Sequence, residues 1–187
     1  MTCVFTEDRW YAVQVKSRFE AVAAALLEQK GFPILYPTYT EHRRWNDRTR
    51  ELPRPLFPGY VFCRFDARSR LPVLTTPHVM SVVGAGRIPV PVEDAEIRAV
   101  RDVQRSGRTV LPWPFLGAGE KVRVIAGPLR GLEGLLLSTK NESRLVISVT
   151  LLRRSIAVEV DRVAVEPVHA GRAPVARRLP AESSTAF

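Results

Sequence analysis

The stretch from Ser106 to Gly119 is crowded with residues that stop regular structure, Gly107, Pro112, Pro114, Gly117 and Gly119, and the hydrophobic periodicity differs on its two sides. Before it, short aromatic and β-branched runs alternate with helical spacing; after it, one short strand pattern follows another. A single periodic architecture does not span such a change, so the chain is expected to divide here. The expected layout is an N-terminal extension over 1–8, a first domain over 9–105, a linker over 106–117, a second domain over 118–168 and a disordered tail over 169–187.

In the first domain, Trp10 to Val15 reads as a strand. Ser17, with Glu20 three residues on, matches a capping box, and Phe19, Val22, Ala23, Leu26 and Lys30 continue at helical spacing until Gly31 and Pro33 stop the helix. Ile34 to Tyr39 is a second expected strand, and the arginine-rich run His42 to Arg50 an exposed hairpin tip or loop around Asn46-Asp47. Leu56 to Phe65 begins as a turn and continues as an apolar strand. Along that strand Tyr60 and Phe62 share one face and Val61 and Cys63 the other, so one set is expected in the core. Val79 to Val83 adds a strand and Asp94 to Arg105 a helix with Ile97 and Val100 inward. This order implies an α+β domain, an antiparallel sheet flanked by helices.

In the second domain, strands are expected at Lys121 to Ile125, Glu133 to Ser138, Arg144 to Thr150, Ile156 to Val160 and Arg162 to Val165. Gly127-Pro128, Gly131 and Asn141 mark the bends, and five closely spaced strands suggest a small β-barrel. From His169 onward Pro, Ala, Arg and Ser dominate.

Basic residues outnumber acidic ones 28 to 19, for a net charge of +9, so a polyanion such as nucleic acid is an expected neighbour. The lysines are only Lys16, Lys30, Lys121 and Lys140; the arginines that make up the rest offer planar forks for phosphate and carboxylate. Cys3 and Cys63 lack C-x-x-C spacing, which supports neither a disulfide framework nor a zinc ribbon and fits a reducing cytoplasm. Charges at Glu7, Asp8 and Arg9 interrupt any signal peptide, and no apolar run reaches membrane-spanning length, so a cytoplasmic protein without membrane association is expected. His42, His78 and His169 lack metal-ligand spacing, and no G-x-S-x-G or phosphate-cradling loop is present. No enzyme, metal or cofactor is expected; the pairing of Cys63 with His78 as a nucleophile competes with the plainer reading of Cys63 as a small core residue.

Two separated segments carry one resemblance. Arg9-Trp10-Tyr11-Ala12-Val13-Gln14-Val15 opening a sheet, with Phe57-Pro58-Gly59-Tyr60-Val61 in its middle, resembles the N-terminal (NGN) domain of NusG proteins. Gly119-Glu120-Lys121-Val122-Arg123-Val124 through Gly127-Pro128-Leu129-Arg130-Gly131-Leu132-Glu133-Gly134 looks like a KOW motif, which marks that family's SH3-like C-terminal barrel, and Glu142 to Val160 continues the likeness. Ribosomal proteins also use KOW motifs, but this order of domains resembles the NusG family of transcription elongation and antitermination factors, over about residues 9 to 168.

The resemblance implies a monomeric factor riding on RNA polymerase. Phe57, Pro58, Tyr60 and Phe62 match the apolar patch that grips the clamp helices of the largest polymerase subunit, where exposed aromatics would anchor the interface; core packing is the plainer alternative. Thr75 and Thr76 sit where the relative RfaH touches the gate loop across the DNA cleft, on the second-largest subunit; the alternative is a threonine pair ending a turn. Lys16, Arg18, Arg43 and Arg44 lie on the edge that the family places near upstream and non-template DNA, and Trp45 among them either stacks on a base or packs on the sheet. In the barrel, the family's phenylalanine-glycine pair, which helps bind ribosomal protein S10 or Rho, is replaced by Leu152-Arg153, followed by Arg154. That departure implies a specialised, RfaH-like paralogue with altered partner choice. RfaH-like proteins can fold this domain as a helical hairpin, but here the β-branched Val146, Ile147, Val149, Thr150, Ile156, Val158 and Val160 favour strands, and Gly127, Pro128 and Gly131 would interrupt a long helix. The competing function is a KOW-type ribosome- or RNA-binding protein that does not act on polymerase.

Overall fold

The computed structural model describes residues 8–45, 48–114, 120–138 and 143–168; for 42–45, 48–50, 114, 138 and 162 it describes the backbone alone. The expected extension before Asp8, the bend at Asn141 and the tail from His169 lie outside the described residues.

β1 (Arg9–Val15) is the aromatic and β-branched run expected as the first strand, and it occupies the interior of a four-stranded sheet ordered β2-β5-β1-β6. α1 (Glu20–Gln29) follows, rich in alanine and leucine, and Gly31 at φ +86 turns the chain away from it. The expected second strand is shorter than its apolar run: β2 covers Ile34–Leu35, and after Pro37 the chain leaves the sheet to form the hairpin β3 (Thr38–Trp45) and β4 (Arg48–Pro55). Pro37 has no N–H to give the β2 ladder, and its carbonyl instead accepts from Leu56 N at 2.9 Å. β5 (Tyr60–Phe65) then returns antiparallel to β1, pairing Tyr11 with Cys63, Ala12 with Phe62 and Val13 with Val61. The one-turn helix α2 (Leu71–Leu74), edge strand β6 (Val79–Val82), the small ladder of β7 (Gly84–Ala85) with β8 (Ile88–Pro89), and α3 (Asp94–Arg105) complete this half. Asp94 and Glu96 in the first turn of α3 and Arg105 in its last turn complement the helix dipole.

The expectation that a single face of β5 would be core does not hold, because a helix covers each side of the sheet. Val61, Cys63 and Phe65 join Tyr11, Val13, Ala23 and Leu27 under α1, while Phe62 joins Trp10, Ala12, Ile97, Val100 and Val103 under α3. A sheet buried on both faces loses the polar alternation from which orientation is usually read.

The C-terminal half is a six-stranded antiparallel sheet ordered β14-β10-β11-β12-β13-β9, formed by β9 (Val110–Pro114), β10 (Glu120–Val124), β11 (Glu133–Ser138), β12 (Ser143–Val149), β13 (Arg154–Glu159) and β14 (Val165–Pro167). β9 lies within the stretch expected as linker and pairs along β13, Val110 opposite Val158 and Trp113 opposite Ser155. The expected fifth strand begins later than its sequence pattern, since Arg162–Ala164 make a 3-10 turn before β14. Gly134 lets the strands close up: a Cβ there would stand 2.7 Å from the Val146 carbonyl oxygen. Of the β-branched residues that argue against a helical hairpin, Val146, Ile147, Val149, Ile156 and Val158 lie in strands, whereas Thr150 opens a 3-10 turn and Val160 falls just past β13.

Candidate functional site

The turn between β4 and β5 is built by its own residues. Pro58 supplies the fixed φ of the second turn position and Gly59, at φ +82, the left-handed third position of a type II turn, closed by Tyr60 N donating to Phe57 O at 3.1 Å. Two outside contacts hold it: Val15 N donates to Gly59 O, and Gly59 N donates to the Glu20 carboxylate, both at 2.9 Å. Glu20 is only 5% exposed and has no capping role; Phe19 occupies the N-cap position and no side chain caps the helix. The carboxylate read from sequence as half of a capping box therefore braces the turn. Its charge also adds to burial in raising the Tyr36 phenol above its ordinary range, burial being the larger cause.

This turn separates the four aromatic-patch positions. Pro58 is exposed and Tyr60 half-buried, whereas Phe57 is 1% and Phe62 0% exposed, their rings meeting edge to face at 5.3 Å. The expected outward orientation of Phe57 and Phe62 is thus not found in this arrangement of the chain. Both belong to the cluster of α3, and that cluster continues into the C-terminal half through Val110, Val122, Leu132, Ile147 and Val158.

Of the two threonines, Thr75 is exposed and its hydroxyl donates back to Leu71 O at 3.0 Å. Thr76 is 2% exposed, with its hydroxyl donating to Pro72 O at 2.9 Å and accepting from Lys30 Nζ at 2.7 Å. A hydroxyl tied on both sides ties the end of α1 to α2 and leaves Thr75 as the accessible member of the pair.

Lys16 and Arg18 are exposed in the β1–α1 turn, where Lys16 Nζ lies 5.4 Å from the Phe19 ring centre and Arg18 takes φ +71. Arg18 and Pro58 line one cleft of about 290 Å³ together with Tyr39, Glu41 and Arg54 at the hairpin base, where Arg54 Nε donates to Glu41 Oε2 at 2.8 Å. In the hairpin, Arg43 pairs with Arg50, Arg44 with Thr49 and Trp45 with Arg48. Neighbouring strand positions alternate, so Arg43 and Arg44 belong to opposite faces of the ribbon; positions 43, 45, 48, 50 and 54 share one face. The side chains of Arg43, Arg44 and Trp45 lie outside the described residues.

At the far end of the C-terminal sheet, Thr150–Leu152 and Arg153 connect β12 to β13. Arg153 takes φ +49, the left-handed conformation that glycine adopts at little cost, at the position where the family's pattern has glycine. Leu152 is half-buried against the shared apolar cluster. The Arg154 guanidinium lies 5.2 Å from the centre of the Tyr60 ring, and its Nη1 donates to Pro58 O at 3.2 Å. Nearby, Thr150 N donates to Glu96 Oε1 of α3 at 3.1 Å. Sequence reasoning missed Glu20 and Glu96 as site residues; both were legible as charges at a helix start, but their acceptors' partners lie 39 and 54 residues away.

Cys63 settles into the core beneath α1, fully buried, and burial pushes its thiol up to about 12. Such a thiol supplies almost no thiolate near neutrality, which removes the basis for the nucleophile pair with His78. The His78 ring instead stacks on Phe19 at 4.1 Å. Among the described residues no helix is long and apolar enough to cross a membrane.

The family model described as "Transcription termination factor nusG" matches residues 8–101. The transcription termination/antitermination protein NusG of Pseudomonas aeruginosa is 33% identical over 174 residues, covering 86% of this chain and 98% of that protein. NusG of Escherichia coli K12 is also 33% identical, over 86% of this chain and 96% of its own length, and that of Thermus thermophilus 30%, over 81% and 94%. Among solved structures, "Domain interaction in Thermotoga maritima NusG" matches in fold with a TM-score of 0.56 at 24% identity, covering 87% of this chain and 98% of that one. The chain belongs to the NusG family, whose matched members are named as transcription termination/antitermination proteins.

Proposed function

We propose that this protein acts on elongating RNA polymerase, gripping the clamp helices of the largest subunit through the Phe57–Tyr60 turn and modulating pausing or termination. The observation that carries this reading is the braced turn itself: Glu20 and Val15 hold Pro58 and Tyr60 in place at the rim of a cleft that also contains Arg18 and the hairpin base. Preorganised aromatic and proline surface loses little entropy on docking. Pro58 and Tyr60 make the first contact, and Phe57 and Phe62 back them from beneath. Thr75 is the gate-loop contact on the second-largest subunit, with Thr76 positioning it.

Lys16, Arg18 and the Arg43 face of the hairpin meet phosphates of upstream or non-template DNA, with Arg44 on the other face making the lesser contribution. The Leu152-Arg153-Arg154 loop receives the second partner. Its lost aromatic and added positive charge favour a specialised paralogue over one that binds S10 or Rho in the general manner.

Capture of RNA polymerase by the wild-type chain and by Tyr60→Ala tests the polymerase contact. Strong loss of capture with an unchanged circular dichroism spectrum is expected; undiminished capture would remove this surface from the account. In the competing reading, a KOW-type RNA-binding protein, the same substitution leaves polymerase uninvolved and the chain binds structured RNA tightly and salt-sensitively.

A further inference from the structure

Two strands that border the same cleft differ in what their outer edges offer. The cleft, of about 690 Å³, lies between residues 38–41 of β3 and the segment that runs from α3 into β9, Gln104 with residues 107–111. In an antiparallel ladder, residues whose N–H and C=O bond to the neighbouring strand alternate with residues whose groups point away from it. Leu56 N donates to Pro37 O, which sets the phase of the β3–β4 ladder: Tyr39 and Arg54 form a bonded pair, whereas Thr38 opposite Pro55 and Thr40 opposite Pro53 point outward. The outer edge of β4 therefore carries two prolines without N–H groups, while the outer edge of β3 keeps the N–H groups of Thr38 and Thr40.

β9 is closed in the same way as β4. Val160 N donates to Ser143 O, so the even-numbered positions of β13 bond to β12 and the odd-numbered ones to β9. Leu111 and Trp113, opposite Ala157 and Ser155, take up those bonds and leave Val110, Pro112 and Pro114 on the outer edge. Prolines on an edge strand resist the addition of another strand. β3 is thus the receptive wall of the cleft, and its ribbon has only two strands, an arrangement that gains stability from a third.

We propose that residues 2–6, the segment before β1, add to the outer edge of β3 as a third strand within this cleft. The run Thr2-Cys3-Val4-Phe5-Thr6 is rich in β-branched and aromatic residues, and no glycine or proline interrupts it. Its point of departure is near: the Arg101 guanidinium lies 5.2 Å from the Trp10 ring centre, and Gln104 of the cleft is the next turn along α3. The residues before Asp8 span up to roughly 25 Å when extended, several times the rise of one helical turn. The C-terminal segment suits the cleft less. It departs from Val168, bonded to Lys121 of β10 on the other side of the sheet from β9, and it would bring Arg172, Arg177 and Arg178 to a wall that already holds Arg108. A third strand stiffens the base of the hairpin whose Arg43 face is read as the DNA contact, but strand addition does not rest on that reading.

Amide hydrogen exchange in the full chain and in a chain lacking residues 2–7 tests this. The Thr38 and Thr40 amides are expected to be protected in the full chain and to exchange roughly tenfold faster or more in the shortened one, with the Val13 amide of the main sheet unchanged. The full-length variant Val4→Pro with Phe5→Pro, which removes a donor from either edge of the added strand, is expected to reproduce the deletion. A synthetic peptide of residues 1–8 is expected to restore protection to the shortened chain. Equal exchange at Thr38 and Thr40 in the full and shortened chains overturns the proposal: fast in both, the edge is open to an external strand; slow in both, another segment covers it. Restoration by a peptide of residues 169–187 but not by residues 1–8 overturns it in favour of the C-terminal segment.

Discussion

The two faces of the N-terminal sheet are equally dry but are covered in different ways. Beneath α1 the cluster runs from Tyr11 to Val73, within one domain, and its residues come from β1, α1, β5 and α2. Beneath α3 the cluster begins with Trp10, Ala12 and Phe62 and passes through Phe57 and Ile97 to Val122, Ile147 and Val158 of the other half. The first face is a core in the ordinary sense. The second is a core on one side of α3 and, at the Phe57–Tyr60 turn, an interface with the C-terminal loop. Burial alone does not distinguish the two; the sequence distance between the covering residues does.

Leu27→Ala should do the most damage, because it opens a cavity in the locally covered face. A loss of about 2–5 kcal/mol in unfolding free energy is expected. Chemical denaturation would check it, and a loss below that range would mean that this face repacks as freely as an interface. Glu20→Ala should be intermediate, about 1–3 kcal/mol, since it leaves the Gly59 N–H inside the fold without its acceptor. Faster hydrogen exchange at the Gly59 amide would locate the effect, and unaltered exchange there would show that the carboxylate does not brace the turn. Arg153→Gly should have the smallest effect and the opposite sign, a gain of about 1 kcal/mol from relief of the left-handed backbone. A shift in melting temperature would measure it, and a lowered melting temperature would mean that the Arg153 side chain contributes more than its conformation costs.

Much of this architecture was legible beforehand. The Pro58-Gly59 pair announced a turn with a residue at positive φ, and α3 was readable from Asp94 to Arg105. The hairpin was partly legible: the polar run from His42 to Arg50 reads as a hairpin tip or loop, but its arginine-rich composition hid eight-residue strands because polar ribbon strands lack an apolar alternation. Arg43 and Arg44 look equivalent in the sequence, and only the register divides them between faces. Glu20 was misassigned because a capping box is a local pattern, whereas its actual partner, Gly59, arrives through the return of β5 to β1.

From the sequence alone one could decide the division into two halves, the α+β and all-β character of each, and membership in a family of transcription factors, since all three follow from local periodicity and from motifs read in order. What lies over the Phe57–Tyr60 turn was decided by tertiary structure. The residues that reach it, Glu20 and Arg154, are brought there by sheet pairing and packing across dozens of residues. Whether an aromatic side chain is core or contact depends on which distant segment covers it, and no short-range pattern carries that information.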